Sequence, residues 1–497
     1  MGVGTSALAQ ALGAARAILL VPFFLRAWGP DVYGHWIALT ALASNVNLLD
    51  LGGQNYIANL LAVHHSRGEE DEFRARLSEG VSLFLLVGVG FFLVATILLT
   101  LFCVVTVPGL ARPLARWEAG ALWFLGANGL LLSVPGGVYV TVYRATGRYT
   151  RGEMAGNIGR LTILGVLLLA LVFKVAPLAF AAWTFGVSAV VTFAYIWDTR
   201  RHIPGCVGLA VNLEYARRGC AHLSGSLYFW IISIAQTIRL QGALLIVAAT
   251  SPAALVAVYA THRTLAAIPG YVGALVQGPL VPELTFLWAH QQFDTLLRAT
   301  FVVIRTISVA CGAAAVFLWI AAPLVYTRWT GEQLEIHKTL MALLLVQAVL
   351  AAGWSTSTWA LLAANEHRPV AGWLILNGVI TIALGIVLAH QYGATGVAAA
   401  GVTADLLCGV GIMPRVVSSF LKVPPRRVYL GLLAAASAPL VFITVAVVVR
   451  LVLQGWWTVA GFIIVSAALV YPTLMFVVGT NKPGRAWQLL RAIRPSA

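Results

Sequence analysis

Charge is what this chain has least of. Of its 497 residues only 10% are Asp, Glu, Lys or Arg, and the acidic ones number 17. Soluble domains carry about 25% charged residues, so a fully hydrated globular surface is excluded. Cysteine is also sparse. Cys103, Cys206, Cys220, Cys311 and Cys408 are scattered without paired spacing, and they propose neither a disulfide framework nor a metal site. His64-His65 has no matching ligand set and reads as interfacial. No basic stretch precedes the first apolar run and no clear cleavage pattern follows it, so that run reads as a span rather than a secretory signal.

What is present is apolar: 60% of the residues are hydrophobic and the mean hydropathy is +0.89. A bilayer crossing takes about 20 mostly apolar residues. On that measure spans fall near 6–26, 37–63, 80–107, 119–143, 155–175 and 177–197, then near 222–249, 254–280, 301–325, 338–363, 370–391 and 395–414, with two more near 430–453 and 457–478. The expectation is an all-α polytopic membrane protein of about fourteen transmembrane helices. Lys and Arg set the orientation. With a cytoplasmic N-terminus, 22 of the 32 fall on inward loops and the tail, 7 on outward loops and 3 inside spans. Both termini are therefore expected in the cytoplasm. The net charge of +15 reads as topology plus affinity for anionic headgroups, not as nucleic-acid binding.

The chain reads as two similar halves. Arg16 to Trp36 and Arg239 to Tyr259 are both twenty residues apart, and each interval holds a tight outward turn, Gly29-Pro30-Asp31 or Ser251-Pro252. The offset of 223 carries spans three to six close to spans nine to twelve, and Asn157 and Asn377 recur early in the fifth and eleventh spans. The expected organisation is an N-terminal six-helix bundle over 1–200, a cytoplasmic linker over 201–221, a C-terminal six-helix bundle over 222–414, and two extra helices with a basic cytoplasmic tail over 415–497. Six spans per repeat start both copies on the same side. The bundles are therefore expected to be related by a pseudo-twofold axis along the membrane normal, with substrate bound near the midplane between them.

The three intramembrane cations are Arg16, Arg239 and Arg263. An uncompensated charge at the bilayer centre costs from about 3 to more than 10 kcal/mol, so such residues are expected to face a watery cavity and an anion. Gln236 lies one turn before Arg239, and Tyr259 lies at i−4 from Arg263. Span two is the most polar. Its Asn47, Asp50 and Gln54 at i, i+3 and i+7 are read as one helical face, which lines the cavity or ties helices together. Asp50 is expected to pair with Arg16 or to take up H⁺ or Na⁺. Asp405 in span twelve is a second coupling candidate. No resident cofactor is expected.

The run Leu25-Arg26-Ala27-Trp28-Gly29-Pro30-Asp31-Val32-Tyr33-Gly34-His35-Trp36, followed by Leu48-Leu49-Asp50-Leu51-Gly52, resembles the opening of the polysaccharide flippases of the multidrug/oligosaccharidyl-lipid/polysaccharide exporter superfamily. Tyr143 to Asn157 looks like that family's fourth-to-fifth connection, and Pro282-Glu283-Leu284 like its eighth-span exit. The resemblance covers about 415 residues. It implies two six-helix bundles around a cationic cavity in a bacterial cytoplasmic membrane. It also implies a substrate of oligosaccharide on undecaprenyl diphosphate, an O-antigen or exopolysaccharide repeat unit, turned from the inner to the outer leaflet. From their location in this chain, Arg16, Arg239 and Arg263 are expected to grip the diphosphate. Membrane lipids and other polysaccharide-assembly membrane proteins are the implied partners.

Two other functions compete. A drug or cation antiporter of the same superfamily should carry acidic cavity residues, whereas here three arginines stand against Asp50 and Asp405. A membrane-embedded polymerase or glycosyltransferase needs a large outer loop with catalytic groups, and the longest outward loop, around 323–337, is too short to build one. The chain is expected to be a transporter and not an enzyme.

Overall fold

The computed structural model describes residues 2–50, 52–104, 114–206, 209–221, 223–277, 287–288, 290–363, 367–421 and 423–430, and beyond these only Thr444, Val459, Ala460, Gly461 and Ile463. The predicted thirteenth and fourteenth spans, the basic tail and the Pro282-Glu283-Leu284 motif lie outside the described residues.

Every regular element among the described residues is helical. The first is α1, Gly2–Ser44, which continues through a 3₁₀ turn, Asn45–Asp50, to α2, Gly53–Ser66. Then come α3, Glu70–Val104, α4, Arg116–Ala127, a π turn at Asn128–Ser133, α5, Val134–Ala145, α6, Tyr149–Val172, and α7, Pro177–His202. A short amphipathic α8, Leu213–Cys220, leads to α9, Leu223–Thr237, a second π turn, Ile238–Gly242, and α10, Ala243–Thr250. The remainder is α11, Ala253–Ala266, α12, Ile268–Gln277, α13, Phe293–Trp329, α14, Lys338–Ala363, α15, His367–Ala404, a third π turn, Asp405–Ile412, and α16, Met413–Leu421.

Nine stretches among the described residues are long and apolar enough to cross a membrane. Two of them hold two crossings each. Leu8–Asp50, at 43 residues, would reach roughly 65 Å as one rod, twice the ~30 Å hydrocarbon core. It is broken at Gly29, whose φ of 75° and ψ of 172° are not helical. Pro30 is the cause, since proline disfavours the α region for the residue before it, and glycine alone accepts the positive φ freely. Arg368–Phe420, at 53 residues, is also broken at a glycine, Gly393, with φ 55° and ψ −138°, here without a proline after it. With α11 and α12, which meet at Pro269 and are each too short to count alone, the described residues make twelve crossings, at the places expected for spans one to twelve.

Contacts group residues 1–248 and 252–256 into one compact unit, and 249–251 and 257–497 into another. Within the first, Leu61, Leu77, Phe84, Val138, Val142, Tyr143 and Cys206 form a buried core. An aromatic cluster packs beside the Gly29 joint, where Phe24 lies 5.0 Å from Trp28, 5.1 Å from Tyr33 and 5.4 Å from Phe180. The Leu25 to Trp36 run is thus a folding motif, whose aromatic rings pack around a one-residue turn. The division lies one span later than the repeat suggests, because α9 belongs with the first unit. Its Trp230 indole donates to the Leu48 carbonyl at 2.7 Å, in the 3₁₀ turn. In the second unit, Val303, Ile307 and Cys311 pack with Ala352, and the Cys311 thiol donates to the Pro269 carbonyl at the helix break.

Candidate functional site

Depth along each helix follows from its nearest outward turn. Arg16 precedes Gly29 by thirteen residues, Arg239 precedes Ser251 by twelve, and Arg263 follows Pro252 by eleven. At 1.5 Å per residue that is about 16–20 Å, close to the middle of a ~30 Å core. Arg16 is exposed on the protein surface, and no ion-pair or hydrogen-bond partner meets it among the described residues. The expected pairing of Arg16 with Asp50 is therefore corrected. A guanidinium at this depth without a carboxylate is tolerable only against water or an anion.

Arg239 is half-buried and sits in a π turn that packs against α1. Such one-turn insertions recur at functional sites, because they re-aim side chains that a regular helix would stack. Gln236, one turn before it, is exposed, whereas Tyr259 is buried at 3% exposure one turn before the half-buried Arg263. His262, fully buried, holds the same helix in place. Its Nδ1–H donates to the Val258 carbonyl at 2.7 Å and its Nε2 accepts the His337 backbone N–H at 2.9 Å, so both ring nitrogens are used and α11 is tied to the 330–337 loop.

Span two departs from the expected continuous face. Its helix narrows to the 3₁₀ turn at Asn45–Asp50, stops at Gly52 in the left-handed region (φ 68°), and restarts at Gly53. Asn47, Asp50 and Gln54 therefore do not share a helical register, which corrects the i, i+3, i+7 reading. Asp50 instead caps α2, receiving the backbone N–H groups of Gly52, Gly53 and Gln54, the donors a helix start leaves open. Its Oδ1 is buried with no hydrogen-bond partner. Gln54 donates to the Val134 carbonyl at 3.1 Å, and Gly137 leaves room for it, since a Cβ there would come within 2.4 Å of the Gln54 amide. The backbone around Asn47 is in the 3₁₀ turn; its side chain lies outside the described set. Gly52-Gly53 inside an apolar span was the signal for this break.

Asp405 opens the third π turn and is 1% exposed. Its Oδ1 accepts the Asn377 amide at 3.0 Å, from a side chain equally buried. The turn's Cys408 carbonyl accepts the Trp373 indole at 2.8 Å. The other recurring asparagine, Asn157, donates to the Thr5 carbonyl at 3.1 Å and accepts from Arg160 at 2.6 Å. The two asparagines therefore brace different contacts in their units. A further cluster, Asp198 with Arg151 at 2.6 Å and with Tyr143 and His202, links α5, α6 and α7 near one end of the first unit. Asp198 was not singled out from sequence, because its partners lie 47 and 55 residues away.

Among solved structures, the chain is similar to the lipid II flippase MurJ in an inward closed conformation. That match has 13% identity and a TM-score of 0.66, over 95% of this chain and 96% of that one. It is similar to an inward-facing multidrug resistance MATE family transporter of the MOP superfamily, with 14% identity and a TM-score of 0.65 over 84% and 95%. An outward-facing MATE family transporter follows at 16% identity and 0.53, over 85% and 94%. No protein family matches the sequence, and no curated protein is similar to it at a significant level. The likeness establishes the fold: this chain has the helical fold of the multidrug/oligosaccharidyl-lipid/polysaccharide exporters.

Proposed function

We propose that this chain, built on the fold of those exporters, is a flippase that turns a polyprenyl-diphosphate-linked oligosaccharide from the inner to the outer leaflet of a bacterial cytoplasmic membrane. The observation that carries the reading is Arg16, a mid-depth cation that meets no carboxylate among the described residues. Arg239 and Arg263 lie at matching depths on their helices. A diphosphate offers the oxygens that guanidinium groups bind in paired, charge-assisted hydrogen bonds. One of the proteins of similar fold is a flippase of lipid II, which is in keeping with a lipid-linked anion as cargo. The arginines take the diphosphate, the sugars cross in water, and the polyprenyl chain stays in lipid. The chain makes and breaks no covalent bond in this cycle. The substrate is an O-antigen or exopolysaccharide repeat unit.

A cation antiporter is the second reading, favoured by the buried Asp405–Asn377 pair and by the likeness to MATE family transporters. In the flippase the same pair, or the unpartnered Oδ1 of Asp50, is where H⁺ or Na⁺ coupling would act. The deciding experiment is complementation of a strain lacking its own flippase, supplied with several oligosaccharide structures. Glycan export restored by the wild type and lost in Arg16→Ala, Arg239→Ala and Arg263→Ala supports the flippase. Export unchanged in all three variants, or drug resistance conferred without any glycan export, refutes it.

A further inference from the structure

A crevice separate from the three arginines opens within the first unit, where α5, α6 and α7 part. Its volume is about 650 Å³, inside the 300–1,000 Å³ range of small-molecule sites. It runs from Arg144 and Tyr149 at the end of the bundle up to Leu132. The twelve residues from Leu132 to Arg144 span about 18 Å, close to the ~15 Å of one leaflet's hydrocarbon. The deep part is walled by glycines and by Leu132, Val140, Ile163 and Val191. The shallow part is polar. Arg160 starts midway along α6, but its side chain runs back toward the bundle end, where it donates to Asn157 at 2.6 Å and lies 4.0 Å from Glu153. Both contacts use Nη1, so among the described residues most of the five N–H donors of this guanidinium remain for another partner. Of the other arginines at this end, Arg148 donates to the His202 carbonyl and Arg151 is paired with Asp198.

We infer that this crevice is a resident site for one monoanionic glycerophospholipid of the inner leaflet, its phosphate on Arg144 and Arg160 and one acyl chain along the glycine-walled slot. The charges decide the class. The charged residues that line the crevice are Arg144, Arg160 and Glu153, a formal charge of +1, which matches the single charge of a phosphodiester better than the denser charge of a diphosphate. The site needs only that the chain crosses a membrane with this end toward the cytoplasm, so it stands or falls separately from the transported substrate.

Delipidated full-length protein is titrated with phosphatidylglycerol or phosphatidylcholine and observed by native mass spectrometry. One phosphatidylglycerol per chain should survive at activation energies that strip phosphatidylcholine. Each arginine near a membrane surface strengthens anionic-lipid binding about fivefold, so the Arg144→Gln/Arg160→Gln double variant should bind roughly 25-fold more weakly. Gly156→Leu should abolish the retained lipid. A Cβ at 156 makes only ordinary contacts, 3.5 Å from the Tyr195 hydroxyl and 3.6 Å from Arg160, so leucine fills the slot without distorting the helix, and an unchanged melting temperature in detergent checks this. Equal retention of the two lipids, retention unaffected by Gly156→Leu, displacement by inorganic phosphate alone, or a preference for a polyprenyl diphosphate would each overturn the assignment.

Discussion

At the scale of single residues, the informative side chains are those whose surroundings contradict their chemistry. Arg16 was legible in the sequence because a cation in an apolar run is rare and expensive. That it meets no carboxylate among the described residues was not legible, because Asp50 is a plausible mate on spacing alone, and only the helix break assigns that carboxylate to the start of α2. Arg16→Lys is expected to restore export only in part, since an ammonium keeps the charge and loses the planar fork; initial export rates of the two proteins at equal expression decide it. Cysteine chemistry provides a second test. Burial pushes the Cys206 thiol up to about 12 and its side chain is fully covered, whereas Cys220 is exposed. The thiolate is the reacting species, so at pH 8 a maleimide should label Cys220 readily and Cys206 only after unfolding, as mapped by peptide mass spectrometry.

Among the elements, crossings were the easiest feature to read and joints the hardest. Apolar length alone placed twelve helices, since each must match the bilayer, and Pro30, Pro177 and Pro252 marked where several begin. The π turns left no comparable trace, because an inserted residue barely changes composition; only the backbone shows that Arg239 and Asp405 lie in them. Close helix approach was equally silent. A Cβ on Gly34 would fall 1.8 Å from the Ala253 carbonyl oxygen, whereas one on Gly13 would meet nothing within 4 Å. Gly34→Ala should therefore lower the melting temperature in detergent, with a penalty of about 1–3 kcal/mol or more, while Gly13→Ala should not. His262→Phe should cost about 1–3 kcal/mol in the same assay by leaving the His337 N–H without its acceptor.

For the whole molecule, composition gives the class, and apolar length gives the order of the crossings. With 10% charged and 60% hydrophobic residues, composition alone excludes a fully hydrated surface. That α9 groups with the first unit was not legible, because the indole donor of Trp230 and the carbonyl of Leu48 are 182 residues apart. Transport of an anion outward is favoured by an inside-negative potential, by roughly 2.3 kcal/mol per charge per 100 mV. In proteoliposomes with an imposed potassium-diffusion potential, outward flipping should accelerate when the interior is negative and slow when the sign is reversed. Rates indifferent to both voltage and ion gradients would rule out charge movement as the drive.

Gly29 carries a mechanical implication. One residue is all the slack available where the first crossing hands over to the second, so neither can slide along its axis without dragging the other. Any rearrangement that carries Arg16 must pivot this V-shaped pair as a single lever, with the packed rings of Phe24, Trp28, Tyr33 and Phe180 as its fulcrum.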